Sequence, residues 1–198
     1  MQKIIKSKIV PLPRANIDTD LIIPANFLTT TSKQGLGAHV FARLRMMEEN
    51  FPFNLKKYRD AKVLVVKKNF GCGSSREHAV WALKDWGIEV VIASSFADIF
   101  FGNALKNGIL PIVLEDEIVE EIFVKEKKSE GYELEIDLLR QVVKMPDGLT
   151  SGFAMDPYHK ECLLKEIGDL DYLLSQAKQI ENFNKRHAGK IFFDTTIL

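Results

Sequence analysis

A chain of 198 residues is long enough to bury one hydrophobic core and still carry appendages. Its 27 basic and 27 acidic residues balance, and Lys and Arg are scattered, so no excess positive charge points to nucleic acid. No apolar run approaches the ~18–20 residues a membrane-spanning helix needs, and the opening MQKIIKSKIVPLP has lysines but no signal-type apolar core; the expected setting is cytoplasmic, with neither nucleic acid nor membrane as partner.

Residues 3–10 read as a short strand closed by Pro11 and Pro13. A polar turn, Asn16-Ile17-Asp18-Thr19-Asp20, leads into apolar Leu21–Ile23 and Pro24. Residues 26–38, rich in Thr, Ser and Gly, show no periodicity and read as a loop. A helix is expected over His39–Glu49, stopped near Asn50-Phe51-Pro52. Lys62–Val66 is a β-branched run suited to a buried parallel strand. His78–Trp86 reads as a helix capped by Gly87, Ile88–Ala93 as a second buried strand, and Ser95–Lys106 as a second helix with Asp98 as capping-box partner of Ser95. Asn107-Gly108 closes that helix and Ile109–Leu114 makes a third strand, giving β-α-β-α-β with parallel strands and right-handed crossovers. An amphipathic helix follows at Glu117–Lys127, then paired strands at Tyr132–Asp137 and Gln141–Met145. Helices over Asp156–Ile167 and Leu170–His187 and a loose tail complete the chain.

Cys72 and Cys162 are the only cysteines. Neither has a CxxC partner or zinc-like Cys/His spacing, and two thiolates cannot build an iron–sulfur cluster held by three or four.

The segment from Asn69 to Ala79, NFGCGSSREHA, falls where a strand gives way to a helix. At such a junction backbone N–H groups and the helix dipole favour negative charge. Glycines flank Cys72, two hydroxyls follow, and Arg76 offers the paired hydrogen bonds that grip a carboxylate. A capping box, Ser74-x-x-Glu77, accounts for one serine and the glutamate. It does not account for Ser75, Arg76 and the glycines together. A P-loop is excluded because no Gly-Lys-Ser/Thr ends the turn. A dinucleotide fingerprint wants glycine where Arg76 stands, and an acid where Ala93 and Ser94 stand. No histidine base is placed for a Cys72 nucleophile.

GCGSSREHA at 71–79 resembles the signature of the small-subunit family of 3-isopropylmalate dehydratases, in the aconitase superfamily. Asn16–Asp20 with Ile22-Ile23-Pro24, Gly35–Phe41, Ser95–Phe100 with Gly102-Asn103, Asn107–Pro111 and Cys162-Leu163-Leu164 are also similar to it, in order, over about residues 3–180. Glu166-Ile167-Gly168 departs from the Gly-Leu-Asp common in that family, which bears on C-terminal packing or the partner surface.

The resemblance implies a three-layer β/β/α swivelling domain built on the parallel β-α-β-α-β core. Residues 1–198 would form one such domain, with helices 156–187 and tail 188–198 as appendage. It implies a hydro-lyase of leucine biosynthesis, active only as a heterodimer with a large subunit that carries a [4Fe–4S] cluster; the small subunit itself binds no metal. The reaction would interconvert 2-isopropylmalate and 3-isopropylmalate through 2-isopropylmaleate. Carried over residue by residue, Ser74 matches the catalytic base, Arg76 the group that holds a substrate carboxylate and supports the serine oxyanion, and Ser75 their stabilising surroundings. Asp20 and Thr19 match a Thr-Asp pair near the cluster domain, with a supporting or interface role; turn capping is the competing role for Asp20. Phe27, Leu28 and Thr29 fall in the substrate-recognition loop, 26–34. The small subunit of a homoaconitase or citramalate-type hydro-lyase, and a non-catalytic carboxylate-binding assembly module, stay open as alternatives.

Overall fold

The computed structural model describes residues 1–27, 32–129 and 131–187. Leu28 and Thr29, and the tail from 188 onward, lie outside the described residues. In chain order the elements are β1 (Ile4–Leu12), α1 (Thr19–Ile22), α2 (Ala42–Met47), β2 (Val63–Val66), α3 (His78–Trp86), β3 (Val90–Ala93), α4 (Asp98–Lys106), β4 (Leu110–Val113) and α5 (Asp116–Lys128). They continue as β5 (Glu133–Asp137), β6 (Val142–Lys144), β7 (Thr150–Gly152), α6 (Pro157–Lys165), α7 (Asp169–Ser175) and α8 (Ala177–His187).

One sheet of order β4-β3-β2-β1-β5-β6-β7 joins two halves. β1 through β4 are parallel, as the β-branched runs predict, and β5 to β7 form an antiparallel ribbon. β1 belongs to both. Its first half, Ile4–Lys8, pairs with β5, and its second half, Ile9–Leu12, pairs with β2. That explains why the strand runs through Pro11 instead of stopping there: the β5 ladder has ended at Lys8, so a missing N–H interrupts no bond on that side.

Alternation along the strands splits the core in two. Val10, Leu12, Leu64, Val66, Val91 and Ala93 face α1, α2, α3 and most of α4. Ile5, Ile9, Val63, Val65, Val90 and Ile92 face the other way, against the β5–β6 ribbon and also α5, through Val119, Ile122 and Phe123. Helices, parallel sheet and curled ribbon are the layers of a β/β/α arrangement, with α5 set on the ribbon side.

Gly87, at φ +113°, ends α3 as expected. Both predicted capping boxes are absent. Glu77 and Ala97 take the N-cap positions of α3 and α4 with no side-chain cap, because Glu77 bonds Asn107 and the Ser95 hydroxyl accepts from Asn69 N at 2.8 Å. The C-terminal stretch read as one helix divides at Gln176 into α7 and α8, and β7 is a strand with no apolar pattern to announce it. Glu166, in the departing segment, closes α6 at φ +56°, a left-handed position that usually favours glycine.

Candidate active site

Three connections leave the carboxyl ends of β1, β2 and β3 and meet at one edge of the sheet, the place where open α/β sheets bind ligands. The β1–α1 and β2–α3 connections are zipped by backbone bonds. Asn16 N donates to Lys68 O at 3.0 Å, Gly71 N to Ile17 O at 2.8 Å and Thr19 N to Cys72 O at 2.9 Å. The β3–α4 connection holds the other side: Phe70 N donates to Ser95 O at 3.1 Å and Ala97 N to Phe70 O at 3.0 Å. Asn69 turns the chain at φ +59°, and its amide donates to Asn16 Oδ1 at 2.8 Å.

The glycines are required for different reasons. Gly71, at φ +76°, lies so close to Phe100 that an added Cβ would sit 2.2 Å from Cγ of that ring. Gly73, at φ +92°, would place its Cβ 3.4 Å from Asp18 Cβ, an ordinary contact, so the backbone angle alone selects glycine there. Ser74, Ser75 and Arg76 then run as irregular chain into α3.

Ser74 and Ser75 are exposed, and Arg76 is mostly covered. The Ser74 hydroxyl makes no hydrogen bond among the described residues, while its backbone O accepts from Thr19 Oγ1 at 3.3 Å. Thr19 itself is buried. Arg76 forms an ion pair with Asp20 through Nη1 and Oδ1. The cap of α1 is Asp18, whose Oδ1 accepts from Leu21 N at 2.7 Å, so Asp20 is not the capping aspartate. A free hydroxyl thus stands two residues from a guanidinium, ahead of a helix N-terminus without a side-chain cap. Positive charge of either kind favours the ionised form of an oxygen held close to it.

Of the residues singled out in the sequence, Ser74, Ser75, Arg76, Thr19 and Asp20 are brought together. Phe27 stacks on His39, with ring centroids 3.9 Å apart, and packs on the core beneath. No hydrogen bond, ion pair or ring contact joins Phe27 to the Ser74–Arg76 segment among the described residues. Asn103 Nδ2 reaches Ser75 O at 3.5 Å, a long bond, and Asn107 takes the Glu77 carboxylate at 2.7 Å. Sequence reading named Asp18 in the polar turn and Asn107 at the helix end but gave neither a role at the site. That of Asp18 was accessible, standing as an N-cap type just before an apolar helix; nothing local announces that of Asn107.

Among the described residues no group of three or more His, Cys, Asp and Glu comes together to hold a metal ion. Cys72 lies in the elbow and Cys162 on α6, where burial pushes its thiol pKa up. These donors do not fit an iron–sulfur cluster.

A parallel sheet with a curled antiparallel ribbon, and a Gly-Cys-Gly-Ser-Ser-Arg elbow at its carboxyl edge, defines the class of the aconitase C-terminal domain, whose family matches residues 2–117. A 3-isopropylmalate dehydratase small subunit from Saccharophagus degradans is 46% identical over 194 residues, covering 91% of this chain and 90% of that protein. The crystal structure of a 3-isopropylmalate dehydratase from Methanocaldococcus jannaschii superposes with a TM-score of 0.67 at 34% identity, covering 91% of this chain and 99% of that one. The chain belongs to the family of 3-isopropylmalate dehydratase small subunits.

Proposed function

We propose that this chain is the proton-transferring half of a 3-isopropylmalate dehydratase, a hydro-lyase that interconverts 2-isopropylmalate and 3-isopropylmalate through 2-isopropylmaleate. One observation carries the assignment of roles: the exposed Ser74 hydroxyl lies on the glycine-bounded elbow beside Arg76 and the start of α3. In this reading Arg76 grips a substrate carboxylate with two parallel bonds. Ser74, as the alkoxide, takes the proton from the carbon next to the departing hydroxyl, and on rehydration a proton returns from Ser74 to carbon. Ser75 and the first N–H groups of α3 complete the stabilising field. Thr19 fixes the Ser74 backbone and Asp20 orients Arg76, leaving the rest of the guanidinium fork for substrate. In this reading Phe27, Leu28 and Thr29, all in the recognition loop 26–34, are the residues assigned to contact the substrate's alkyl group.

The [4Fe–4S] cluster belongs in this reading to a large-subunit partner, since the donors of this chain do not fit it. Residues 1–198 act as one swivelling domain, with the helices of 156–187 as appendage. Loss of the hydroxyl is the partner's half of the chemistry, so the purified chain alone is expected to be inactive.

The test is reconstitution with a cluster-bearing large subunit, following the unsaturated intermediate by absorbance. Turnover of isopropylmalate supports the reading. Faster hydration of citraconate or turnover of homocitrate would assign the chain to a sister hydro-lyase instead.

Asp20→Asn gives a finer check. The pair is partly exposed, so its loss is expected to change stability by about 1 kcal/mol or less. A misaimed guanidinium is costlier to catalysis, and kcat/KM is expected to fall roughly 10- to 100-fold, chiefly through KM. Steady-state kinetics beside a thermal melt separate the two effects; an unchanged kcat/KM would remove Asp20 from the site.

A further inference from the structure

Asn107, which closes α4, spends the whole capacity of its side-chain amide. Its Oδ1 accepts from Trp81 Nε1 at 3.0 Å and from Lys33 Nζ at 3.0 Å. Its Nδ2 donates to Glu77 Oε1 at 2.7 Å and to the backbone O of Asn103 at 2.9 Å. Two lone pairs and two N–H groups are all an amide has. The orientation is forced by chemistry. An indole N–H and an ammonium only donate, while a carboxylate and a carbonyl only accept, so a flipped amide would lose all four bonds.

The bond to Glu77 is the consequential one. Glu77 follows Ser74-Ser75-Arg76 directly and occupies the N-cap position of α3, where no side chain caps the helix. The start of α3 is therefore anchored by a carboxylate reaching across to α4. One turn back on α4, Asn103 adds its long bond to Ser75 O. Thr19 and Asp20 hold the same elbow from α1. The segment that carries the reacting hydroxyl is clamped from two elements that are far apart in sequence.

We propose that Asn107 is a positioning residue: through Glu77 its amide sets the first turn of α3, and with it the placement of the Ser74 hydroxyl, while Asp20 separately holds the Arg76 guanidinium. This rests on reading the elbow as the catalytic half-site. Asn107 touches no substrate. Its contribution is to kcat, through geometry that Glu77 transmits.

Asn107→Asp tests this with almost no change of shape. The acceptor side, facing Trp81 and Lys33, survives. The donor side becomes an oxygen facing the Glu77 carboxylate and the Asn103 carbonyl. Glu77 and Lys33 are the charged groups bonded to this side chain, and Lys84 Nζ donates to the backbone O of the next residue, Gly108, at 2.7 Å. Two carboxylates at hydrogen-bond distance raise the pKa of one of them. The native-like bond then exists with one proton shared, below that raised pKa, and is lost as pH rises through it.

The measurement is the pH profile of kcat and KM in the reconstituted complex at saturating large subunit, with thermal melts of the same samples. For Asn107→Asp, kcat is expected to fall about tenfold or more at about pH 8 and to recover severalfold toward about pH 6, with KM within about twofold of wild type. Asn107→Asp combined with Glu77→Gln, which restores one donor to the pair, is expected to regain turnover at the higher pH and to lose the recovery in acid. A wild-type profile for Asn107→Asp would overturn the proposal, as would a loss independent of pH that follows the drop in melting temperature. An inactive wild-type complex would overturn the dehydratase reading and this proposal with it; an active one with an indifferent Asn107→Asp overturns this proposal alone.

Discussion

Ser74→Ala is expected to leave the chain folded and bound to its large subunit while turnover falls by roughly 10²–10⁴-fold, the range a positioned general base supplies. The two halves of that outcome have separate causes. Ser74 is exposed and its hydroxyl bonds nothing among the described residues, so removing one oxygen disturbs stability by no more than about 0.5 kcal/mol. The Thr19 contact goes to the backbone O of Ser74 and survives the substitution. The catalytic loss arises because a serine hydroxyl is a base only when its ionised form is held by nearby positive charge. Arg76 and the start of α3 would then have no oxyanion to stabilise. Because the proposed grip on substrate runs through Arg76, KM is expected to move little and kcat to carry the change. Ser75→Ala in the same complex is the control for simple loss of a hydroxyl, with a smaller effect. Near-normal kcat for Ser74→Ala, with the partner bound, would show that the proton goes elsewhere and would favour a carboxylate-binding module on this fold.

The parallel core was legible because buried strands flanked by helices need continuous apolar runs. Val63–Val66, Val90–Ala93 and Leu110–Val113 are such runs, and Gly87 and Asn107-Gly108 mark where the helices between them end. β1 was harder, since a strand that changes partners midway carries an alternating half and a fully buried half, and its proline reads as a stop. The predicted caps failed for a different reason. Ser74-x-x-Glu77 and Ser95-x-x-Asp98 satisfy a local rule, but long-range partners compete for the same side chains. Asn107 takes Glu77, and the backbone of Asn69 takes Ser95. The same limit governs the site. Gly71, Gly73, Ser74 and Arg76 are contiguous and could be read as a unit, whereas the Asp20 ion pair with Arg76 and the Thr19 bond to Ser74 exist only because β1 and β2 are neighbours in the sheet. Position within a parallel sheet is a tertiary fact, and a single sequence encodes it without displaying it.

Gly71→Ala is expected to be the most damaging single methyl in the elbow. Its Cβ would fall 2.2 Å from Cγ and 2.4 Å from Cβ of Phe100, which are the inner atoms of that side chain rather than a free end. Phe100 has nowhere to go: it is 2% exposed, and its ring meets Phe70 edge-on at 5.0 Å. Overpacking of this kind costs about 1–3 kcal/mol, and an alanine at φ +76° adds about 1–2 kcal/mol of backbone strain. At roughly 2–4 °C per kcal/mol for a chain of this size, the melting temperature is expected to fall by about 5–15 °C. Gly73→Ala shares the strained angle but lacks the collision, so its loss is expected to be confined to the strain. A double-mutant cycle isolates the contact. Phe100→Ala alone costs about 3–5 kcal/mol, yet it opens the space that the new methyl needs. The pair is therefore expected to be more stable than the sum of the two singles by over about 1 kcal/mol. If the two losses simply add, Phe100 is not what forbids a side chain at position 71, and the tight seat of the elbow against α4 is not what holds Ser74 in place.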